Sequence, residues 1–190
     1  MLQSQIALLA FGANQPFEGH LPKHTLQMAI SAFSDVGLQQ PKVSRFFATP
    51  CFPAGAGPDY VNAAALLVVE GAGSARGLLS CLHRIEAMFG RERTQRWGMR
   101  SLDIDLLAFG DMILPDAATQ TLWRNLDPAV QINKTPEELI LPHPRLQDRA
   151  FVLAPLADVA PDWRHPVLHK TVRQMLADLP AADLAELRPL

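Results

Sequence analysis

The chain opens on an apolar run over residues 5–11, which predicts a first strand, and the run stops at Gly12-Ala13-Asn14, a turn signal. From residue 25 to 36 the period changes. Leu26, Ala29, Ile30, Phe33 and Val36 recur at helical spacing, and Gly37 stands where a left-handed C′ residue belongs, which predicts a first helix. Residues 43–49 read as a second strand stopped by Pro50, and residues 60–69 as a third. The stretch between them, 50–58, is rich in Pro and Gly and reads as a loop. Over residues 74–89, Leu78, Leu82, Ile85 and Phe89 form one stripe, with Ser74 as N-cap and Gly90 as terminator, the pattern of a second helix. A polar loop over 91–100 then leads into a fourth strand, 102–109, closed by Gly110. This order predicts an α+β fold with a ferredoxin-like βαββαβ core: an antiparallel sheet with helices packed on it. Further on, residues 110–136 mix turn residues with short apolar pieces and suggest a small hairpin, and 139–144 a short extended segment. Residues 148–159 and 171–179 predict extra C-terminal helices. The expected organisation is one domain over 1–190, with a core at about 5–161 and a helical extension at 162–190.

Composition narrows the partners. The chain has 190 residues, a hydrophobic content of 48% and a net charge of −2, which argues against broad nucleic-acid or membrane-surface binding. Any phosphate chemistry must therefore come from a local patch. Cys51 and Cys81 are too few for a disulfide framework, and no stretch has signal-peptide or membrane-span character. A cytoplasmic monomer is expected, with small molecules as its partners.

The fourth strand carries the densest chemistry. On a strand, residues i and i+2 share a face, so Asp103 and Asp105 project together while Leu102, Ile104 and Leu106 pack behind. Two carboxylates so placed repel unless a cation lies between them, and Mg²⁺ completed by phosphate oxygens suits the pair. The plainer alternative is two solvated acids at a strand end. Arg91, Arg93, Arg96 and Arg100 lead into this strand, with Arg84 back along the second helix. Guanidinium forks beside a metal make a polyphosphate clamp, although the chain has no Gly-x-x-x-x-Gly-Lys-Ser/Thr phosphate loop. Tyr60 and Asn62 share a strand face, Trp97 lies in the arginine loop and Phe151 opens a late helix. A flat heterocycle could stack between such rings while amides read its edge. His143, in Leu-Pro-His-Pro-Arg, could donate to a phosphate or act as an acid, or it could be an ordinary exposed histidine.

Six elements in order carry a resemblance: Phe11-Gly12-Ala13-Asn14, Thr49-Pro50, Asp59-Tyr60-Val61-Asn62-Ala63-Ala64, Arg84-Ile85-Glu86, Arg96-Trp97-Gly98-Met99-Arg100-Ser101-Leu102-Asp103-Ile104-Asp105-Leu106-Leu107, and Leu141-Pro142-His143-Pro144-Arg145 with Arg149-Ala150-Phe151. Over roughly residues 6–161 the chain resembles the 6-hydroxymethyl-7,8-dihydropterin pyrophosphokinases of folate biosynthesis. The resemblance implies pyrophosphoryl transfer from the co-substrate ATP to the pterin hydroxymethyl group. It implies two Mg²⁺ ions on Asp103 and Asp105, and phosphate-gripping roles for Arg93 and Arg100. It places Glu86, Arg93, Trp97, Arg100, His143 and Arg149 at ATP, and Thr49, Pro50, Phe52, Tyr60, Asn62, Trp97 and Phe151 at the pterin. Segment 111–138 is longer than in compact members. Two alternatives are a Mg²⁺-dependent phosphohydrolase using the same acids and arginines, and a non-catalytic ferredoxin-like binding module. The acidic balance speaks against an RNA-binding version of the latter.

Overall fold

The computed structural model describes residues 4–51, 57–71, 73–90, 100–127, 130 and 134–190. Its central strand is β1 (Gln5–Ala13), followed by α1 (Pro22–Ser31). The short strands β2 (Lys42–Val43) and β3 (Phe47–Thr49) precede β4 (Tyr60–Val69). Next come α2 (Ala75–Met88) and β5 (Asp103–Phe109). After these lie α3 (Ala117–Arg124), α4 (Ala150–Val159), α5 (Val172–Ala177), α6 (Ala181–Ala185) and β6 (Arg188–Pro189). The sheet order is β5-β1-β4-β3-β6, with β2 also paired to β4 and every pairing antiparallel. Without the added β6, this is the strand order of a ferredoxin-like core built by two split βαβ units.

Alternation along β1 divides the molecule into three layers. Ala7, Leu9, Phe11 and Ala13 face one core, filled by Leu26, Ala29 and Phe33 and by Leu78, Leu82 and Ile85. Leu8 and Ala10 face the other core, filled by Val152, Leu153 and Leu156 of α4 and by Val172 and Met175 of α5. Both faces of β1 are thus buried, which explains why its sequence reads as a continuous apolar run. Each fully buried Leu, Ile or Phe here contributes about 1.5–3 kcal/mol relative to exposure.

Several expectations shift on folding. β1 runs through Ala13, past the turn signal, because Gly12 and Ala13 pair with Asn62 and Val61. The first helix starts at Pro22, whose fixed φ suits the first turn, and ends at Ser31. A 3₁₀ turn, Ser34–Val36, carries the pattern on to Gly37 at φ +80°. The second strand is split at Ser44. The hydroxyl oxygen of Ser44 accepts the Ala64 N–H at 2.9 Å, so a side chain replaces a backbone acceptor in the ladder. The hairpin expected within 110–136 is instead the helix α3. Asp116 caps it, its Oδ1 accepting the N–H groups of Ala118 and Thr119 at 2.9 Å each. That cap was the overlooked signal, and the helix is then held by buried Gln120, whose Nε2 donates to Pro142 O at 3.2 Å. By contrast, Ser74 caps α2 as its sequence predicts, accepting the Gly77 N–H at 3.0 Å. Among the described residues no helix is long and apolar enough to cross a membrane.

Candidate active site

The site is laid out by strand register. Asn62, Gly12 and Asp103 lie in one row across β4, β1 and β5, and Ala64, Ala10 and Asp105 in the next. Thr49 of β3 stands opposite Tyr60 of β4. Leu102, Ile104 and Leu106 are buried in the α1/α2 core, so Asp103 and Asp105 project from the opposite face, the face that α4 covers. A bulge preserves this arrangement. Between Leu8 and Leu9 the partner jumps from Ala108 to Leu106, which leaves Leu107 as the extra residue. Gly12 lies in the floor between Asn62 and Asp103, where a Cβ would stand in ordinary contact, 3.4 Å from Asn62 Oδ1.

β5 is an edge strand, and its outward backbone groups recruit two of the expected site residues. The Ile104 N–H donates to buried Glu86 Oε1 at 2.7 Å, so α2 grips the strand between its two acids. On the same strand the Leu107 carbonyl accepts the His143 N–H at 2.8 Å, which docks the His143 segment along that edge. His143 Nδ1 accepts the Arg145 N–H at 3.1 Å, so the neutral ring carries its proton on Nε2. Burial, reinforced by Arg149 and Arg145 against the opposing pull of Asp103, pushes its pKa down to about 3. His143 is therefore a neutral hydrogen-bond donor in the protein as it stands, rather than a charged acid.

Arginines and acids face one another. Arg100 Nη1 donates to Asp103 Oδ2 in an ion pair whose side chains are 26% and 20% exposed, so solvent screens it only in part. Arg149 precedes α4, and its guanidinium lies 5.6 Å from the centre of the Phe151 ring. Burial lowers the Arg149 pKa, while Asp105 and Asp103 draw it back up. Burial likewise raises the Tyr60 hydroxyl, with Arg100 opposing and Asp103 adding to it. Tyr60 therefore lies within electrostatic reach of the Arg100–Asp103 pair. Asn62 Nδ2 donates to Thr49 Oγ1 at 2.8 Å, both residues being buried. Pro50 directly follows Thr49 in an exposed position.

The fold thus brings Thr49, Tyr60, Asn62, Arg100, Asp103, Asp105, His143, Arg149 and Phe151 toward one face of the sheet. Phe52, Arg93 and Trp97 lie outside the described residues. Sequence reasoning missed Asn14. It is 2% exposed, its Oδ1 accepts the Arg100 N–H at 2.9 Å, and its Nδ2 donates to Pro58 O at 3.4 Å. The backbone N–H of Asn14 also donates to Arg100 O at 3.0 Å, and Ser101 Oγ donates to Phe89 O at 2.6 Å. One asparagine just past β1 thereby fixes the backbone at Arg100 and, through Pro58, ties it to the approach to Tyr60. A polar residue directly after an apolar strand was the available signal.

For a cation, the available donors are two hard carboxylates. Among the described residues no group of three or more His, Cys, Asp and Glu forms a protein-only cage. A pair of carboxylates with arginines alongside fits Mg²⁺, which usually takes one or two carboxylates and fills its shell with water and substrate phosphates.

Residues 8–161 match the family described as 7,8-dihydro-6-hydroxymethylpterin-pyrophosphokinase (HPPK). The chain is 40% identical over 119 residues to the 2-amino-4-hydroxy-6-hydroxymethyldihydropteridine pyrophosphokinase of Synechocystis, a match covering 63% of this chain and 50% of that protein. It is 36% identical over 150 residues to the protein of the same name from Pseudomonas aeruginosa, covering 76% of each. The chain therefore spans half the length of the first of these relatives and three quarters of the second. A crystal structure of Plasmodium falciparum HPPK-DHPS superposes with a TM-score of 0.65 at 15% identity, over 93% of this chain and 46% of that one, which supports the fold. With its family match running from β1 into the residues after α4, the chain belongs to the 7,8-dihydro-6-hydroxymethylpterin-pyrophosphokinase family.

Proposed function

We propose that this protein transfers pyrophosphate from ATP to 6-hydroxymethyl-7,8-dihydropterin and releases AMP, a step of folate biosynthesis. The observation that carries this reading is the single sheet face holding Asp103 and Asp105 beside Arg100 and, two and three strands away, Tyr60 with the Asn62–Thr49 pair. The acids and the arginine suit a polyphosphate, and the hydroxyl, amide and aromatic group suit a flat, edge-polar heterocycle.

Asp103 and Asp105 would hold Mg²⁺, with two ions expected. When bound, Mg²⁺ neutralises phosphate charge and lowers the pKa of a coordinated hydroxyl. Arg100, its backbone fixed by Asn14, would exchange part of its contact with Asp103 for phosphate oxygens, and Arg93 would join it. Glu86, Trp97, His143 and Arg149 complete the ATP side. There His143 donates from Nε2, and Glu86 keeps β5 in place. Thr49, Pro50, Phe52, Tyr60, Asn62, Trp97 and Phe151 line the pterin side, with Tyr60 and Phe151 on opposite faces of the ring. The pterin hydroxymethyl oxygen bonds to the β-phosphorus. The bond from that phosphorus to the oxygen bridging it to the α-phosphorus breaks, and AMP leaves with that oxygen. The hydroxyl proton passes to solvent. Positioning and charge neutralisation suffice for such a transfer, so no protein base is needed. Residues 1–190 would act as one domain, a cytoplasmic monomer with small-molecule partners.

The test is incubation with ATP, Mg²⁺ and 6-hydroxymethyl-7,8-dihydropterin. AMP should form in step with the pterin diphosphate and only when pterin is present. ATP loss independent of pterin would instead identify a phosphohydrolase.

A further inference from the structure

Three-residue β3 carries Thr49 at its end, and on one side it pairs with β4. A strand this short frays when its other edge is open. Here that edge is closed from the far end of the chain. β6 pairs antiparallel with it, Pro189 opposite Phe47 and Arg188 opposite Ala48. The Leu190 N–H donates to Phe46 O at 2.9 Å. Arg188 Nη2 then crosses to Asp59 Oδ2 at 2.9 Å. Ala48 immediately precedes Thr49, and Asp59 immediately precedes Tyr60. One segment of three residues thus bonds the backbone of β3 just before Thr49 and, through the Arg188–Asp59 side-chain ion pair, reaches the residue just before Tyr60. The acids are on β5, at the opposite edge of the sheet.

We propose, on the reading of the reaction given above, that residues 188–190 are a strap that positions the pterin half of the site. Arg188 is a positioning residue: it sets affinity for the heterocycle through Thr49 and Tyr60 without contacting the ligand. Because β6 and β5 lie at opposite edges, the strap governs pterin binding and leaves nucleotide binding alone.

The experiment uses the full chain with Arg188→Ala, Asp59→Asn and the charge swap Arg188→Asp with Asp59→Arg. Affinity for 6-hydroxymethylpterin is read by fluorescence titration at saturating nonhydrolysable ATP analogue and Mg²⁺, and affinity for the analogue by calorimetry. Each single variant should raise the pterin dissociation constant roughly two- to five-fold, the span open to an exposed ion pair. The swap should bring it back, and a chain ending at Leu187 should raise it further. Analogue affinity should stay at the wild-type value throughout. Unchanged pterin affinity in all variants, or equal loss for both ligands, overturns the strap. A wild type that binds neither ligand overturns the reading of the reaction instead.

Discussion

Asp105 and Asp103 share a face because a strand has a period of two, and the bulge at Leu107 comes after both of them, so it leaves that shared face intact. The environment at Asp105 is mixed: it repels Asp103 and attracts Arg149. Replacing Asp105 by Ala should therefore leave the melting temperature close to wild type. Turnover should fall by roughly three orders of magnitude, the several kcal/mol that a metal supplies to such a transfer. Parallel measurement of AMP formation and thermal melting separates the two effects, and wild-type turnover in this variant would refute the metal assignment.

At the scale of elements, the acids are only as well placed as the strand that carries them. Among the described residues β5 has a neighbouring strand on one side alone, and on its outer side Glu86 of α2 receives the Ile104 N–H. Glu86→Ala leaves that buried donor without its carboxylate and should cost about 1–3 kcal/mol in urea denaturation. Turnover should fall with it, since Ile104 sits between the two acids. An unchanged denaturation midpoint would show that α2 does not brace the strand in this way. This contact was not legible beforehand. Glu86 reads as one polar position on a helix whose stripe is Leu78, Leu82 and Ile85, and only docking of α2 beside β5 turns it inward. α3 shows the opposite failure. Asp116 before Ala117-Ala118 is a cap signal in the sequence, but prolines and turn residues on either side masked it.

Over the whole molecule, the segment after α4 turns around a buried histidine. His165 Nδ1 accepts the N–H groups of Val167 and Leu168 at 3.2 Å each, so the ring must stay unprotonated there. Burial, with Arg124 and His169 adding to it, lowers its pKa to about 4 from an ordinary 6.5. Between those values the unfolded chain binds more protons than the folded one, so stability rises with pH across that window. The contribution of His165 is complete above pH 6.5 and lost as pH falls through about 4. His143 acts with the same sign. Melting curves from neutral to acid pH should therefore be less steep in His165→Gln than in wild type, and parallel curves would rule out His165 as a source of the slope.

By itself, the amino-acid sequence determined the α+β class, the order of the core strands and helices, and the placing of Asp103 and Asp105 on one strand face. These follow from local periodicity, from caps such as Ser74 and from the short-range motif around Arg100. The tertiary structure alone decided the rest. Asn14 meets Arg100, Glu86 meets Ile104, and Arg188 meets Asp59 across separations of 86, 18 and 129 residues. No window along the chain contains both partners of the longest of these, and each forms only when the sheet has assembled. Which polar residues brace the site, and which segment closes its edge, is a property of packing rather than of pattern.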